Sequence, residues 1–532
     1  MLTILVGRAK TGKSDLVLRR IAELGESSRQ ILLVPEHASH QAEVDVCRTC
    51  GDTASRHAEV LSFRHLGERV LSITGGIADV TLDNGGKLLT LQRALLEAAP
   101  QLTVYRKPSQ KTGFLEQMLS LFDELRCYEV TPEILWRQAQ DIGGSIHDKL
   151  ADLSLIYAAY ENRLRRPGLD ARDRMTKLCD HLEESGYVRN KDIFIDGFTY
   201  FNAQERRALA VFLRQAHSVT ITLLGDVNSR EEIFAPTLKT MEMLKRLAEA
   251  ECVPVKVEQL TKNDCSTLGH LERYFFGENI PYDGMCSAIH LRESSAVYSE
   301  VEETAADIRR LLTAGKCRCR DITVAARNMS DYMGAIETVF ERYGIPAYIS
   351  RRSDILEKPV LSLLTGVLAS VSNGYEYEDM FRWLKTGLAG LTPDECDILE
   401  NYVLKWEIHG QMWLRDVDWT ENPDGYGALW NEQRQSRLEQ VNELRRRVGV
   451  PLGRLAEGLK SAVTARDYVE AVYGFMEELN LEAALTERMH RQAEAGRMQE
   501  AEETAQLWEI LCGVMDQFVE ILGEERLNCD EF

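Results

Sequence analysis

The sequence predicts an α/β protein with a parallel sheet and two helical regions, and three observations carry that prediction. At the start of the chain a short apolar run, LTILV, leads through a glycine-rich loop directly into an amphipathic helix. Further apolar runs alternate with helical patterns, and strands that alternate with helices indicate parallel βαβ units. From about residue 360 onward the pattern is almost entirely helical.

Length, charge and composition limit the class of protein. A chain of 532 residues is long enough for several domains. Its formal net charge of −21 is opposite in sign to that of proteins that coat nucleic acid on their own. Any contact with DNA must therefore come from a local groove or a partner subunit. The first residues do not have the pattern of a secretory signal, and no apolar run approaches the roughly 18 residues of a membrane span. We therefore expect a cytoplasmic protein with no membrane partner.

Twelve cysteines are scattered along the chain without the pattern of a disulfide framework. Cys47 and Cys50 form one CxxC pair, and Cys317 and Cys319 lie close together in sequence. A zinc site would need a second pair at suitable spacing. Because the sequence offers none, we expect reduced thiols, as in a reducing compartment.

The glycine-rich loop, GRAKTGKS, matches the phosphate-binding pattern G-x-x-x-x-G-K-[ST] through Gly7, Gly12, Lys13 and Ser14. The glycines bring backbone N–H groups close to phosphate oxygens, the lysine reaches the β- and γ-phosphates, and the serine hydroxyl is a ligand for Mg²⁺. The helix that follows adds the positive end of its dipole. The loop therefore predicts that ATP and Mg²⁺ bind here.

Hydrolysis needs more than this loop, namely a strand-end Asp that supports Mg²⁺ and a group that orients water. In DIFIDGFTYF, Asp196 ends a buried strand pattern and is the candidate Mg²⁺ residue. An active helicase motor carries Glu next, whereas this chain has Gly197, and Glu205 is the nearest later carboxylate. The sequence thus favours nucleotide binding over hydrolysis, and an ordinary turn residue remains the alternative for Asp196.

Other elements follow in order. Strands are predicted at 30–36, 59–63 and 218–226, and a long helical insertion separates Phe63 from Asp192. A second α/β segment begins with a strand at 287–295 and a helix at 300–312. It continues with a strand at 321–328 and a helix, turn and strand over 333–350.

Several longer motifs resemble one family of bacterial DNA-repair proteins. They are LVGRAKTGKS, LLVPEHAS, VLSFRHLGERVL, KTGFLEQM, KLADLSLIY, FIDGFTYFNAQE, DITVAARN, YEDMFRWLKTGL and LENYVLKWEIHGQMW. The layout is similar to that of superfamily 1 helicases. The motifs resemble the N-terminal part of the AddB (RexB-like) family, the second subunit of AddAB helicase–nucleases, and the last two match no general helicase motif.

The resemblance implies a domain organisation. A RecA-like P-loop domain is expected at 1–75 and 185–265, with a helical insertion at 76–184. A partial second RecA-like domain is expected at 280–360, and a large, truncated helical insertion at 361–532. The family's nuclease domain and iron–sulfur cluster belong to its second half, so neither is expected in these residues. The chain is expected to be a natural fragment or a trimmed version of a longer protein.

The resemblance also implies a function. In the family an AddA subunit is the motor, and the heterodimer processes double-strand DNA ends for recombinational repair. AddB keeps a nucleotide site but is a degenerate helicase, which in some members recognises the hotspot Chi in the emerging 3′ strand. ATP, Mg²⁺, an AddA-like partner and DNA are therefore the expected ligands and partners.

Individual residues are carried over by position. The family places polar and aromatic residues that touch single-stranded DNA in the LVPEH and SFRHL motifs, where His37, Ser39, Arg64 and His65 lie. Glu68 stands where the family pattern has an aromatic residue. For each of these residues, ordinary surface is the alternative.

Two further sets complete the candidates. Phe198, Tyr200 and Phe201 can stack on bases, which is worth roughly 1–3 kcal/mol per base, or can pack beneath the strand end. Arg327, in VAARN, stands where related helicases place an arginine that reaches the γ-phosphate; a surface arginine is the alternative.

Two rival functions stay open at this point. A small-molecule phosphotransferase also begins with a phosphate loop, although the second α/β segment and the helical insertions exceed what a kinase needs. A pure assembly scaffold with a relic loop is the other rival. Nucleotide binding with and without single-stranded DNA separates the three possibilities.

Overall fold

Six parallel strands form one sheet within residues 1–261 of the computed structural model. They are β1 (Leu2–Gly7), β2 (Gln30–Leu33), β3 (Ala58–Leu61), β4 (Asp192–Ile195), β5 (Ser218–Leu224) and β6 (Val255–Leu260). Their order across the sheet is β3-β2-β4-β5-β1-β6, and every neighbouring pair is parallel. The strands predicted in this region are confirmed. The strand β6 was not predicted, because it is an edge strand whose first half is exposed.

The structure describes residues 1–51, 53–76, 82–106, 112–165, 174–229, 231–261, 264–278, 280–349 and 358–532. The chain divides into two units by internal contacts. The first comprises Met1–Thr261 and Leu356–Phe532, and the second is Lys262–Ile355.

Helices connect the strands and make up the remainder of the secondary structure. The helices of the first 261 residues are α1 (Lys13–Leu24), α2 (Ser39–Cys50), α3 (Phe63–Thr74), α4 (Asn84–Ala98), α5 (Thr112–Cys127), α6 (Pro132–Asp141), α7 (Ser145–Leu164), α8 (Arg174–Ser185), α9 (Ala203–Gln215) and α10 (Ala235–Ala250). Those that follow are α11 (Thr267–Tyr274), α12 (Val297–Thr313), α13 (Met333–Arg342), α14 (Pro359–Ser372), α15 (Tyr377–Leu384), α16 (Pro393–Lys405), α17 (Glu432–Ser461), α18 (Ala465–Glu478), α19 (Leu481–Glu494) and α20 (Met498–Leu522). None of the helices in the described ranges is both long enough and apolar enough to cross a bilayer.

The sheet is buried on both faces, as the apolar runs of its strands predict. Along β1, Ile4 and Val6 belong to one apolar cluster, whereas Leu5 between them belongs to a second cluster. This alternation follows from the two-residue period of a strand. The two cores hold the carboxyl ends of the strands at one edge, which is where ligands bind in open parallel sheets.

The helical insertion and the C-terminal helices share a core within the first unit. Leu91 and Phe122 of the insertion belong to the same buried cluster as Ala465 and Ile521. At the margin of this cluster Arg163 forms an ion pair with Glu525, at 3.1 Å, and another with Glu97. The helical segments at 82–165 and 465–525, far apart in sequence, are therefore packed together.

A buried carboxylate holds the turn that precedes α5. Asp152 on α7 is 2% exposed, and it accepts backbone N–H groups from Thr103 (3.0 Å), Val104 (2.7 Å) and Tyr105 (2.9 Å). We expect Asp152→Asn to lower the free energy of unfolding by about 2–3 kcal/mol, because the neutral amide keeps only one acceptor oxygen and lacks the negative charge that these N–H groups face. Urea unfolding measures the change. Glu124→Gln, at an exposed position on α5, is the control and should stay within about 0.5 kcal/mol of the parent.

The second unit contains helices but no strand among its described residues. Val301 and Ile308 of α12 pack against Val339 and Phe340 of α13, as the helical patterns predict. The strands predicted at 287–295, 321–328 and the end of 333–350 are not formed in the described residues. A strand exists only when a neighbour supplies hydrogen-bond partners for its backbone. No other described segment pairs with these stretches, and Leu291 is accordingly 98% exposed.

Candidate functional site

The loop between β1 and α1 has the geometry of a phosphate cradle. β1 ends at Gly7, α1 begins at Lys13, and Gly12 before it has a φ of +82°. A Cβ atom at Gly7 would collide with the hydroxyl of Thr11, so only glycine lets the chain turn this closely. The first turn of α1 has no side-chain cap, which leaves its N–H groups to an anion.

The side chains of this loop fit a nucleoside triphosphate with Mg²⁺. The ammonium of Lys13 donates to the carbonyl oxygens of Gly7 and Arg8, at 2.8 Å each, and so lies across the loop. Ser14 is exposed on the first turn of α1, where its hydroxyl is free to act as a metal ligand. When bound, Mg²⁺ would neutralise phosphate charge, and these two side chains would position the phosphates.

The side chain of Arg8 anchors the phosphate loop, a contact that sequence reasoning missed. Its guanidinium donates to Asp226 at 3.1 Å and to Glu231 at 2.6 Å, and it lies 4.9 Å from the ring centre of Phe234. All three partners follow β5, and the backbone N–H of Gly225 donates to the carbonyl of Gly7. In the sequence, Gly225 and Asp226 at the end of the predicted strand 218–226 were the only signal of these contacts with Arg8.

Asp196 lies at the carboxyl end of β4, as predicted. Its backbone N–H donates to the carbonyl of Leu33 at 3.0 Å, and its carboxylate accepts a hydrogen bond from the hydroxyl of Thr222 on β5. The strand β5 lies between β4 and β1 in the sheet. The carboxylate is half-buried and fits the role of a Mg²⁺-supporting group at the same sheet edge as the loop.

The next residue cannot readily carry a catalytic side chain. Gly197 has a φ of +84°, a left-handed conformation that costs other residues about 1–2 kcal/mol. A Cβ atom there would lie 3.2 Å from Cδ of Pro35. The backbone at this position, as well as the residue type, therefore disfavours the Glu of a motor.

The next carboxylate along the chain after Asp196, that of Glu205, caps a helix. Glu205 forms a capping box with Asn202 at the start of α9, in which each side chain accepts the other's backbone N–H at 2.8–2.9 Å. Burial raises the pKa of the Glu205 carboxyl. The contact described for the Glu205 carboxylate is therefore that of a helix cap.

The loops after β2 and β3 meet beside this site and bring together several predicted DNA-contacting residues. Arg64, at the start of α3, donates to Glu36 at 2.9 Å. Ser62 caps α3 by accepting the N–H of His65, and its hydroxyl donates to Glu36 at 3.4 Å. His37 is exposed in the short 3₁₀ turn Glu36–Ala38. This edge therefore presents polar groups in one place.

Acidic side chains at this edge are paired. Glu68, which departs from the family pattern, forms an ion pair with Arg174 of α8 and lies 4.0 Å from Arg64. Glu36 and Glu68 thus compete with any phosphate for Arg64, which lowers the attraction of this edge for DNA.

Ser39 is the first residue of α2, and its buried hydroxyl oxygen has no hydrogen-bond partner among the described residues.

The aromatic candidates divide between core and surface. Phe198 packs against Phe63 at 5.7 Å and stacks on Phe201 at 5.4 Å between ring centres, and Phe201 is only 6% exposed. Packing beneath the strand end therefore accounts for both Phe198 and Phe201. Tyr200 is 69% exposed and is the ring of this segment that a base can reach without rearrangement.

Arg327 lies in the second unit, on the exposed segment between α12 and α13. It lines a cavity of about 660 Å³ together with Glu300 and Tyr332 of the same unit. Its predicted contact with a γ-phosphate stays a prediction.

A glycine loop between the first strand and helix of a parallel α/β sheet, followed by an Asp at the end of a nearby strand, is the arrangement of a P-loop domain. A family profile described as "ADDB, N-terminal" matches residues 4–272. The chain belongs to this family.

Curated relatives agree with this assignment. The B subunit of the ATP-dependent helicase/deoxyribonuclease of Clostridium botulinum (strain Langeland) is 30% identical over 551 residues, covering 100% of this chain and 48% of that protein. The protein of the same name from Thermoanaerobacter sp. (strain X514) is 31% identical over 545 residues, covering 99% and 47%. That of Clostridioides difficile (strain 630) is 30% identical over 560 residues, covering 100% and 48%. The chain spans about half the length of these relatives.

Proposed function

We propose that this chain is the nucleotide- and DNA-binding half of a helicase–nuclease subunit that processes double-strand DNA ends for recombinational repair. In this role it binds ATP with Mg²⁺ through Lys13, Ser14 and Asp196 and turns it over very slowly. Its partner is an AddA-like motor subunit. The observation that carries the proposal is the pairing of a complete phosphate loop with Gly197 in a left-handed conformation.

The proposal includes contact with the emerging 3′ strand, in which members of the family recognise Chi. The supporting observations are the edge that presents His37, Arg64 and His65, and the exposed ring of Tyr200 on the segment after β4, whose Phe198 packs against Phe63. Polar side chains beside an exposed aromatic ring are what a single strand needs, because phosphates and unstacked bases are recognised separately. Duplex DNA offers no exposed base faces.

The rival functions predict different behaviour. A phosphotransferase would transfer the γ-phosphate to a small acceptor, and its nucleotide binding would not respond to a single strand. A scaffold with a relic loop would bind no ATP. Calorimetry with ATP, in the presence and absence of a single strand, separates these possibilities from the proposal.

The edge formed by His37, Arg64 and His65 can be tested with two substitutions that are expected to change the affinity for single-stranded DNA in opposite directions. Arg64→Ala should weaken binding of an oligonucleotide of about 15 nucleotides and lower the slope of log affinity against log salt by about 0.7, since one phosphate contact is lost. Glu36→Gln should strengthen binding, because it releases Arg64 from its ion pair. Fluorescence anisotropy at several salt concentrations measures both effects.

Arg48→Ala is the matched control, since this arginine is exposed on α2 and pairs only locally with Asp45. It should change neither affinity nor slope. If the chain binds duplex DNA tightly at physiological salt and Arg64→Ala does not weaken that binding, this edge is not the DNA-binding site. Such binding is not expected, because the net charge of −21 opposes it.

A further inference from the structure

A cavity in the C-terminal helical region combines an apolar floor with a basic rim. It lies between the turn that joins α15 to α16 and the helix α19, with Arg497 just before α20, and its volume is about 540 Å³. Leu388 and Leu391 line it and are 3% and 6% exposed. Pockets of about 300–1,000 Å³ take small organic ligands, so one nucleotide fits this volume.

Three arginines line the same cavity. Arg491 and Arg497 have side chains that are 66% and 57% exposed, and each has a carboxylate close to it in sequence, Glu487 at 3.7 Å and Glu500 at 3.2 Å. Arg488 is half-buried and forms no hydrogen bond or ion pair with the described residues. Of the residues described in the lining, Glu487 is the one acid.

The charge of this lining is opposite in sign to that of the chain as a whole. The protein carries a net charge of −21, yet the described lining has a formal charge of +2, from three arginines and one glutamate. A guanidinium without a carboxylate partner is well suited to a phosphate, which it can bind through two parallel hydrogen bonds. An apolar floor next to it suits the face of a base or sugar.

We propose that this cavity binds a phosphorylated nucleoside, either free or as one unit of a single strand. Its phosphate is held by Arg488 with support from Arg491, and its ring rests on Leu388 and Leu391. The site is separate from the phosphate loop, and its existence does not depend on the nucleotide and DNA sites proposed above.

The test uses the full 532-residue chain with Lys13→Ala, so that the phosphate loop does not contribute. The probes are dTMP, inorganic phosphate and a fluorescent oligo-dT strand, measured by calorimetry and anisotropy. We expect dTMP to bind, and Arg488→Gln to weaken its affinity about fivefold or more. Glu487→Gln should strengthen it, because a competing carboxylate charge is removed.

Matched variants keep the test decisive. Arg454→Gln, on the exposed face of α17 and paired with Glu478, should have no effect. If Arg488→Gln reduces the melting temperature, Arg491→Gln takes its place, since that side chain is largely exposed. Preference for oligo-dT over dTMP would identify a strand as the source of the phosphate, whereas equal binding of dTMP and inorganic phosphate would overturn the proposal, because the nucleoside would then add nothing to the affinity.

The proposal fails if neither dTMP nor oligo-dT binds at millimolar concentration. It also fails if binding is unchanged in both arginine variants. Failure of the Arg64 experiment would leave this result unaffected, because Arg64 lies at the sheet edge and not in this cavity.

Discussion

Lys13→Ala is expected to abolish measurable ATP binding by this chain. The ammonium lies across the phosphate loop, 2.8 Å from two of its carbonyl oxygens, and is the cation placed to meet the β- and γ-phosphates. Loss of charge-assisted hydrogen bonds to two phosphates corresponds to roughly 2–4 kcal/mol, or about 30- to 1,000-fold in affinity. Calorimetry with ATP and Mg²⁺ measures the change.

Lys239→Ala is the control for this experiment, since Lys239 is exposed on α10 within the same unit. It should bind ATP as the parent does. Unchanged affinity in Lys13→Ala would mean that nucleotide, if it binds at all, does so somewhere other than this loop, and the proposed nucleotide site would have to be abandoned.

The second large effect concerns turnover, which should stay near background even when ATP and single-stranded DNA are saturating. Gly197 supplies no carboxylate to orient water, and Glu205 is committed to capping α9. Helicase motors also use an arginine that stabilises charge at the γ-phosphate, and such arginines are worth roughly 10³–10⁵ in rate. Steady-state phosphate release, with Lys13→Ala as the blank, measures turnover.

Gly197→Glu should not create an ATPase. The backbone there has a φ of +84°, and any Cβ atom meets Pro35 at 3.2 Å, so the carboxylate could enter only by straining the loop. We expect Gly197→Ala and Gly197→Glu to lose similar stability, about 1–3 kcal/mol each. The alanine variant therefore separates backbone strain from the effect of the charge.

Rapid DNA-stimulated turnover would contradict the expectation that this chain hydrolyses ATP only at background level. DNA-stimulated phosphate release at a rate typical of helicase motors, present in the parent and lost in Lys13→Ala, would show that the chain possesses a water-orienting group other than those described. Restoration of turnover by Gly197→Glu alone would show that the strand-end loop can adopt the geometry of a motor.

Features that depend on neighbours in the chain could be predicted from the sequence. The strand, glycine loop and helix over residues 2–24 were predicted because the chemistry of the phosphate loop and the periods of its flanking elements are local. Asp196 at the end of β4 was found in the same way. The edge strand β6 was missed because half-exposed strands lack a strong apolar signal.

In the second unit, local signals gave wrong predictions for strands. The stretches at 287–295 and 321–328 were predicted as strands from their own residues, but a parallel strand is stabilised by partners that lie elsewhere in the chain. The helices α12 and α13 were predicted correctly, since a helix satisfies its own backbone hydrogen bonds.

The sequence by itself determined that this protein has a phosphate loop, an Asp at a strand end and no Glu after it. Only the tertiary structure decided what those residues can do. Asp226 and Glu231 bind Arg8 although they lie more than 200 positions away in sequence. Pro35 leaves little space for a side chain at Gly197. Glu36 forms an ion pair with Arg64. The physical reason is that residue type sets which interactions are possible. The fold sets which partners lie within contact distance, and this determines whether a charge is free for a ligand.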